Sequence, residues 1–312
     1  MEDSRKIEGR GVKRLAPWVK KRLIPHGAIH GVKSVLRKRG LHTVCESARC
    51  PNIGECFSKP TATFMILGDV CSRSCGFCSV EKRGVPLEVD LREPGSVALA
   101  ARDMGLKHVV VTSVTRDDLA DGGAGQFALT IKAIKDTIRG ISIEVLIPDF
   151  NGDERALKTV MDAGPDILNH NLETVPSLYP LVRPQADYNR SLKVIRSSKN
   201  TGVKTKSGIM AGLGETRAEV MALLRDQLGA GCDAVTIGQY LQPTRWNLPV
   251  REYVAPEVFA EYEAYGKEIG IRHVYSGPFV RSSYNAESLF QDNQLNVKRR
   301  ILQDKAAAAV CL

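Results

Sequence analysis

Between residues 62 and 275 the chain alternates short apolar runs with amphipathic stretches, and this beat constrains its fold more than any other feature. Strand-like runs lie at 62–67, 108–114, 141–147, 166–173, 203–211 and 233–240, with a further short one at 271–275. Each is β-branched or continuously apolar in part, as parallel strands covered on both faces are. Helical patterns separate them at 96–104, 126–138, 154–163, 190–200 and 217–228, and another follows at 256–269. Alternating β and α elements predict an α/β fold with a parallel sheet and right-handed crossovers. Six or so units are too few for a closed eight-stranded barrel, so the expected architecture is a partial, TIM-like (β/α)6 barrel. Chemistry in such barrels sits at the C-terminal ends of the strands. The predicted division is an N-terminal extension over 1–60, the barrel over 61–277 and a C-terminal extension over 278–312, with both extensions capping the mouth.

Six of the eight cysteines fall in two triplets. Cys45, Cys50 and Cys56 have the spacing C-x4-C-x5-C; Cys71, Cys75 and Cys78 have C-x3-C-x2-C. The second triplet directly follows the first predicted strand, which puts it at the barrel mouth. Thiolates are the usual ligands of iron–sulfur clusters, and a four-iron cluster normally takes four. Three cysteines leave one iron open to a substrate or cofactor, much as a catalytic zinc keeps an open position. The pattern therefore predicts an enzyme. Structural zinc is the weaker alternative, because it asks for four ligands in two close pairs and no second pair lies at the usual distance. Cys232 and Cys311 read as a core thiol and a tail thiol. No apolar run approaches the roughly 18 residues of a membrane span. Glu2, Asp3 and Glu8, with no apolar segment among them, fit neither a secretory signal nor a transit peptide. The expectation is a cytoplasmic protein whose clustered thiols serve metal or redox chemistry.

Charge is unevenly placed. Residues 1–40 hold twelve Lys or Arg against three acids, which is the whole formal net charge of +9, and the other 272 residues balance. This basic arm, which includes Lys20, Lys21 and Arg22, suits an acidic protein partner, nucleic acid or an anionic surface. A solvated charge run accounts for it equally well.

The stretch Cys71-x3-Cys75-x-Phe77-Cys78 resembles the signature of the radical S-adenosylmethionine (SAM) superfamily. That resemblance implies a 4Fe-4S cluster on Cys71, Cys75 and Cys78, with the open iron chelating SAM, and Phe77 packed near the adenine. A core aromatic is the competing reading of Phe77. The run ARCPNIGEC with Cys45, Cys50 and Cys56 looks like the auxiliary-cluster motif of the lipoyl synthase family. RDDLADGGAGQF (116–127), NHNLETVPSLYPLVRPQADYNRSL (169–192), TKSGIMAGLGET (205–216), GQYLQPTRWNLPV (238–250) and SGPFVRSSYNAE (276–287) resemble the same family. The likeness covers about residues 12–287.

What the resemblance implies is specific. Cys45, Cys50 and Cys56 would hold an auxiliary 4Fe-4S cluster, with Ser283 of the segment Arg281-Ser282-Ser283-Tyr284 as its fourth ligand. A hard oxygen suits cluster iron less well than thiolate, so Ser283 is expected to keep that cluster intact yet easily dismantled. Arg281 and Ser283 are the implied catalytic residues, and a hydrogen-bonded turn is the plainer role for Ser282. The implied reaction inserts sulfur at C6 and C8 of an octanoyl chain on a carrier-protein lysine. One SAM is consumed per C–H bond, and the auxiliary cluster is the sulfur donor. Those carbons are unactivated, so a hydrogen-abstracting radical is required, while the protein orients and excludes. Implied partners are octanoylated lipoyl domains or a carrier of the glycine-cleavage H-protein type, and an electron donor such as ferredoxin or flavodoxin. Neither nucleic acid nor membrane is expected.

Other positions follow from strand ends facing the site. Thr112 and Ser113 end the second predicted strand, and Asn169, Asn171 and Glu173 end the fourth. These are candidate contacts to the methionine and ribose of SAM, with turn and cap roles as the alternative. His170 reads as a structural histidine. AGLGET and DGGAG lack the Gly-Lys-Ser/Thr of a phosphate loop and read as tight turns. Two other functions compete: a radical sulfur-inserting enzyme acting on RNA or a small molecule, which the basic arm would suit, and an electron-transfer protein. The cysteine order and the Arg281–Tyr284 segment favour the protein-bound substrate.

Overall fold

A computed structural model describes residues 15–20, 27–58 and 62–283; Lys21, Arg22, Tyr284 and Cys311 lie outside them. The chain enters through α1 (Gly27–Lys38), β1 (His42–Thr43), α2 (Val44–Ser47) and α3 (Ile53–Ser58). Then come β2 (Thr63–Ile66), α4 (Glu93–Asp103), β3 (His108–Ser113), α5 (Ala124–Thr137), β4 (Ser142–Leu146) and α6 (Glu154–Asp162). The remainder is β5 (Ile167–Asn169), α7 (Tyr179–Val182), α8 (Tyr188–Lys199), β6 (Lys204–Ala211), α9 (Arg217–Gly229), β7 (Ala234–Gln239), α10 (Pro256–Glu268) and β8 (His273–Gly277). The strands form one sheet in chain order. β1 runs antiparallel to β2, and every later pairing is parallel. Six β/α units and a final strand thus make a partial barrel, in which β8 pairs with neither β1 nor β2 among the described residues.

Local chemistry sets the helix starts. Asp153 and Asp187 accept backbone N–H bonds at the N-termini of α6 and α8. Thr216 and Glu219 form a reciprocal capping box on α9. One element is shorter than expected. The run 166–173 gives only three strand residues, because Glu173 turns through a left-handed backbone (φ 66°) and meets β6 at a single bridge to Ile209. A non-glycine residue held there stores strain, which tends to collect at functional sites.

Alternation along the strands makes two layers. Phe64, Ile66, Val109, Val111, Ile143 and Val145 pack outward against Val97, Phe127 and Ile131 of the helices. Ile209, Val235, Ile237 and Val274 do the same against Val220, Leu224 and Phe259. The inward face holds Ile167, Ala234 and Tyr275, together with a buried ion pair. Lys206 on β6 and Glu144 on β4 are both 0% exposed, with Nζ 3.3 Å from each carboxylate oxygen. A buried pair adds little net stability, so its worth lies in what it holds in place. No helix among the described residues is long and apolar enough to cross a membrane.

Candidate active site at the mouth of the barrel

β2 ends in two consecutive positive-φ residues, Leu67 and Gly68, which swing the chain into the Cys71–Cys78 loop. The loop is then fastened to the segments that follow β3, β4, β5 and β7. The Cys71 sulfur accepts from the Thr115 N–H at 3.4 Å, and Ser72 donates to the Thr115 carbonyl from both N–H and hydroxyl. Gly76 N–H donates to Val182 O. The Asn247 amide donates to the carbonyls of Gly76 and Cys78, at 3.2 and 2.8 Å. Glycine at position 76 allows this close approach, since an added Cβ would sit 2.8 Å from the Leu248 side chain and force it to shift.

Arg73 is the principal anchor. It is 4% exposed and binds Asp117 through Nε and Nη2 at 2.8 and 2.9 Å. Its Nη2 also reaches Asp149 at 2.7 Å and Asn151 at 2.8 Å. Its bonds therefore span the loops after β3 and β4.

The first triplet occupies the open edge between β2 and β8. Cys45 lies in α2, Cys56 in α3 and Cys50 between them, where the Cys50 N–H donates to Cys45 O. β1 pairs this segment with β2, and the Asn52 amide donates to Phe279 O, just past β8, at 2.7 Å. The Ser79 hydroxyl, next to Cys78, donates to Ser47 O at 2.6 Å. The segment carrying the first triplet is thereby tied both to the second triplet and to the chain approaching Arg281. Arg281 feels the Cys50 sulfur as a neighbour, although burial opposes its charge. Gly238 on β7 admits this C-terminal segment: an added Cβ would collide with the Val280 carbonyl oxygen.

The donor set fits iron–sulfur clusters. Burial pushes the Cys45 and Cys78 thiols up to about 12, and neighbouring thiols of the same triplet reinforce the rise. Burial also raises Cys75. Buried thiols of this kind become thiolates only beside compensating positive charge, which bound iron supplies. Among the described residues no three His, Cys, Asp or Glu side chains converge on a single ion-sized point. A mononuclear centre asks for such convergence, whereas a cubane takes one thiolate per iron.

The polar candidates divide. The Thr112 hydroxyl is spent on Leu146 O at 2.9 Å. The Asn169 amide donates to Glu144 at 2.9 Å and to Ser282 O at 3.5 Å. Asn171 donates to Glu173 at 3.0 Å. Burial lifts the Glu173 carboxyl, and Arg183 opposes the rise. Ser113 Oγ, Asn169 Oδ1, His170 Nε2 and Asn171 Oδ1 are buried without hydrogen-bond partners. Such orphans are costly; those of Asn169 and Asn171, at the end of β5, suit a polar cofactor, whereas Ser113 pairs in register with the outward-facing Ile66. Phe77 packs with Val182, Leu213 and Tyr240 in an apolar cluster beside the loop. Sequence reasoning passed over Arg73, Lys82, Arg183 and Asn247. It also passed over Glu144 and Lys206, although a lone charge inside an apolar strand was a visible signal.

Residues 65–226 match the family model described as the radical SAM superfamily, and residues 1–50 match the N-terminal domain of lipoyl synthase of that family. Lipoyl synthase of Rubrobacter xylanophilus is 55% identical over 277 residues, covering 88% of this chain and 86% of that protein. Lipoyl synthase of Caldicellulosiruptor saccharolyticus is 54% identical, covering 86% of this chain and 95% of that one. The chain belongs to the lipoyl synthase family. It is accordingly a radical SAM enzyme that transfers sulfur, and superfamily membership carries a 4Fe-4S cluster and SAM binding with it. Among solved structures, SAM-bound SuiB of Streptococcus suis superposes with a TM-score of 0.56 at 11% identity, over 72% of this chain and 53% of that one. Methylornithine synthase superposes with a TM-score of 0.50 at 14% identity, covering 83% and 84%. At such identities these two attest the barrel alone.

Proposed function

We propose that the chain forms the lipoyl group on a carrier protein, inserting sulfur at C6 and C8 of an octanoyl chain amide-linked to a lysine. The observation that carries this reading is the junction of three segments at one mouth. The Ser79–Ser47 and Asn52–Phe279 bonds draw the two triplets and the approach to Ser283 together. Cys71, Cys75 and Cys78 would hold the SAM-binding cluster; Cys45, Cys50, Cys56 and Ser283 would hold the auxiliary one. The chemistry these groups supply when bound is one-electron cleavage of SAM to a hydrogen-abstracting 5′-deoxyadenosyl radical, and sulfur for the carbon radical it creates.

The chain's own part is positioning and exclusion. Arg73 and Asn247 hold the Cys71–Cys78 loop rigid, and a tightly held geometry is what keeps a radical on its target. Phe77, Thr112, Asn169 and Glu173 border the space for SAM, with Thr112 acting through the Leu146 carbonyl it already binds. Arg281 has the Cys50 sulfur as its charged neighbour, which suits a role at the auxiliary site. The division into 1–60, 61–277 and 278–312 is read the same way, the end segments supplying the auxiliary site.

Lipoyl domains or an H-protein-type carrier are the substrates in this reading, and a ferredoxin or flavodoxin is the reductant. The basic arm is the carrier's landing site. Trp18 supports this, because its indole N–H donates to Val254 O at 3.0 Å and sets the described segment 15–20 of the arm beside the loop after β7. Charge reversal at Lys20, Lys21 and Arg22 should weaken carrier binding at low salt; unchanged affinity removes that role.

The test is anaerobic reconstitution with iron and sulfide, followed by an octanoylated carrier peptide, reductant and SAM. Mass spectrometry should show two sulfurs gained with the matching hydrogens lost, alongside 5′-deoxyadenosine. Deoxyadenosine without peptide change would move the substrate elsewhere. Neither product, from chain loaded with both clusters, would refute the reading.

A further inference from the structure

Three cations stand at the Cys71–Cys78 loop, and they differ in how their charge is met. Arg73 is bonded by the carboxylates of Asp117 and Asp149. Arg183 donates to the carbonyls of Asn171 and Leu172 and feels the buried Glu173. Lys82 differs from both. Its Nζ donates to Cys75 O at 2.8 Å, and among the described residues it bonds no carboxylate. The adjacent Glu81 is turned away to the N–H groups of Lys82 and Arg83, at 2.8 and 2.7 Å.

Nor is Lys82 on a free loop. Glu81 bridges Val70, and its carbonyl accepts the Cys71 N–H at 2.8 Å. The half-buried ammonium is therefore fixed against the backbone of one cluster cysteine, with its charge uncancelled by a bonded acid.

We infer that Lys82 sets the reduction potential of the cluster on Cys71, Cys75 and Cys78, its charge favouring the state with one more electron. Potentials of such clusters respond to nearby charge, hydrogen bonding and exposure, and a partly desolvated charge acts more strongly than one in water. The electron comes from an external one-electron reductant, and no proton need move. The inference rests on the radical SAM reading and names a residue that tunes its first step.

The experiment is a redox titration of the reconstituted full chain followed by electron paramagnetic resonance, using the signal that changes on adding SAM. Lys82→Met and Lys82→Gln should lower the reduced-to-oxidised ratio at fixed potential about tenfold, which is about 59 mV for one electron. Lys82→Arg should return to within about threefold of wild type, and the deficit of the neutral variants should shrink in high salt. Gln retains an N–H donor for the Cys75 carbonyl, so it separates charge from hydrogen bonding if Met fails to load iron. Wild-type potential in the Gln variant, a salt-independent shift, or failure of both neutral variants to load would each overturn the inference. A wild-type chain with no SAM-sensitive signal would instead refute the functional reading beneath it.

Discussion

Replacing Arg73 with Met tests whether the cysteine loop is held by a buried electrostatic knot. The substitution keeps most of the side-chain volume and removes four short bonds: two to Asp117, one to Asp149 and one to Asn151. Asp117 stays partly in water, but the Asp149 side chain is 0% exposed and keeps Arg190, at 3.3 Å, and the Asn151 N–H, at 3.2 Å. Breaking a buried pair costs roughly 3–5 kcal/mol, most of it the stranded charge. Because Arg190 remains, the lower end applies, about 3 kcal/mol. At about 2–3 °C per kcal/mol for a domain of this size, the melting temperature should fall by roughly 6–9 °C. Arg73→Lys keeps the charge but cannot form the two-pronged contact, so about half the loss should return.

The pH dependence sharpens the test. Despite its burial, the hydrogen bond and charge of Arg73 keep the Asp149 carboxyl below its ordinary 3.8 in the native protein. Its ionised form therefore contributes stability above that value, and the contribution is lost as pH falls through the native pKa. In the Met variant burial acts with much less opposition, so the native carboxyl takes up a proton more readily than the unfolded one. The gap between the two proteins should be widest near neutrality and should close toward pH 4. Calorimetric scans from pH 7 to 4 would measure it. A difference under about 1 kcal/mol at pH 7, or a gap that widens with acid, would refute the reasoning.

Three further outcomes are expected. Burial, aided by Arg183, pushes His170 down to about 4 from its ordinary 6.5. The unfolded chain therefore binds a proton that the native chain refuses, and stability should fall by up to about 3 kcal/mol between pH 6.5 and 4; denaturant titrations of His170→Gln should lack that component. Gly238→Ala should displace the Val280–Ser283 segment, read as at least tenfold faster hydrogen exchange there and as loss of iron from the first triplet. Lys206→Met should cost about 3 kcal/mol in unfolding free energy, the lower end of the range for a broken buried pair because Glu144 keeps the Asn169 amide at 2.9 Å, while adding Glu144→Gln should recover most of it.

What was legible in the sequence was local. The strand–helix beat shows because each strand is a short apolar run, and the cysteine triplets show because their spacing lies within single loops. The end of β5 was misjudged because the apolar Ile167, Leu168 and Leu172 extend the run, while Glu173 takes a left-handed turn that no hydrophobic pattern records. Arg73 stood in plain view inside the motif, but its partners arrive from the loops after β3 and β4. Lys206 and Glu144 were visible as charges in apolar strands. Their pairing depends on register, which sets Asn169 beside Lys206 and next to the strand bearing Glu144. Trp18 and Val254 meet across 236 residues, a separation over which composition says nothing.

A barrel of six units leaves two edges, and exposed edges invite wrong pairing. Here the open side is covered from both ends of the chain. β1 caps the free edge of β2, and Asn52 clasps the chain just past β8. The covering segments are the ones that bear Cys45, Cys50 and Cys56 on one side and Arg281–Ser283 on the other. Closing the edge and bringing the first cysteine triplet toward the Arg281–Ser283 segment are therefore one structural event. In the partial barrel the missing strands leave the place where the first cysteine triplet is set beside the second, with the Ser79 hydroxyl bonded to the Ser47 carbonyl between them.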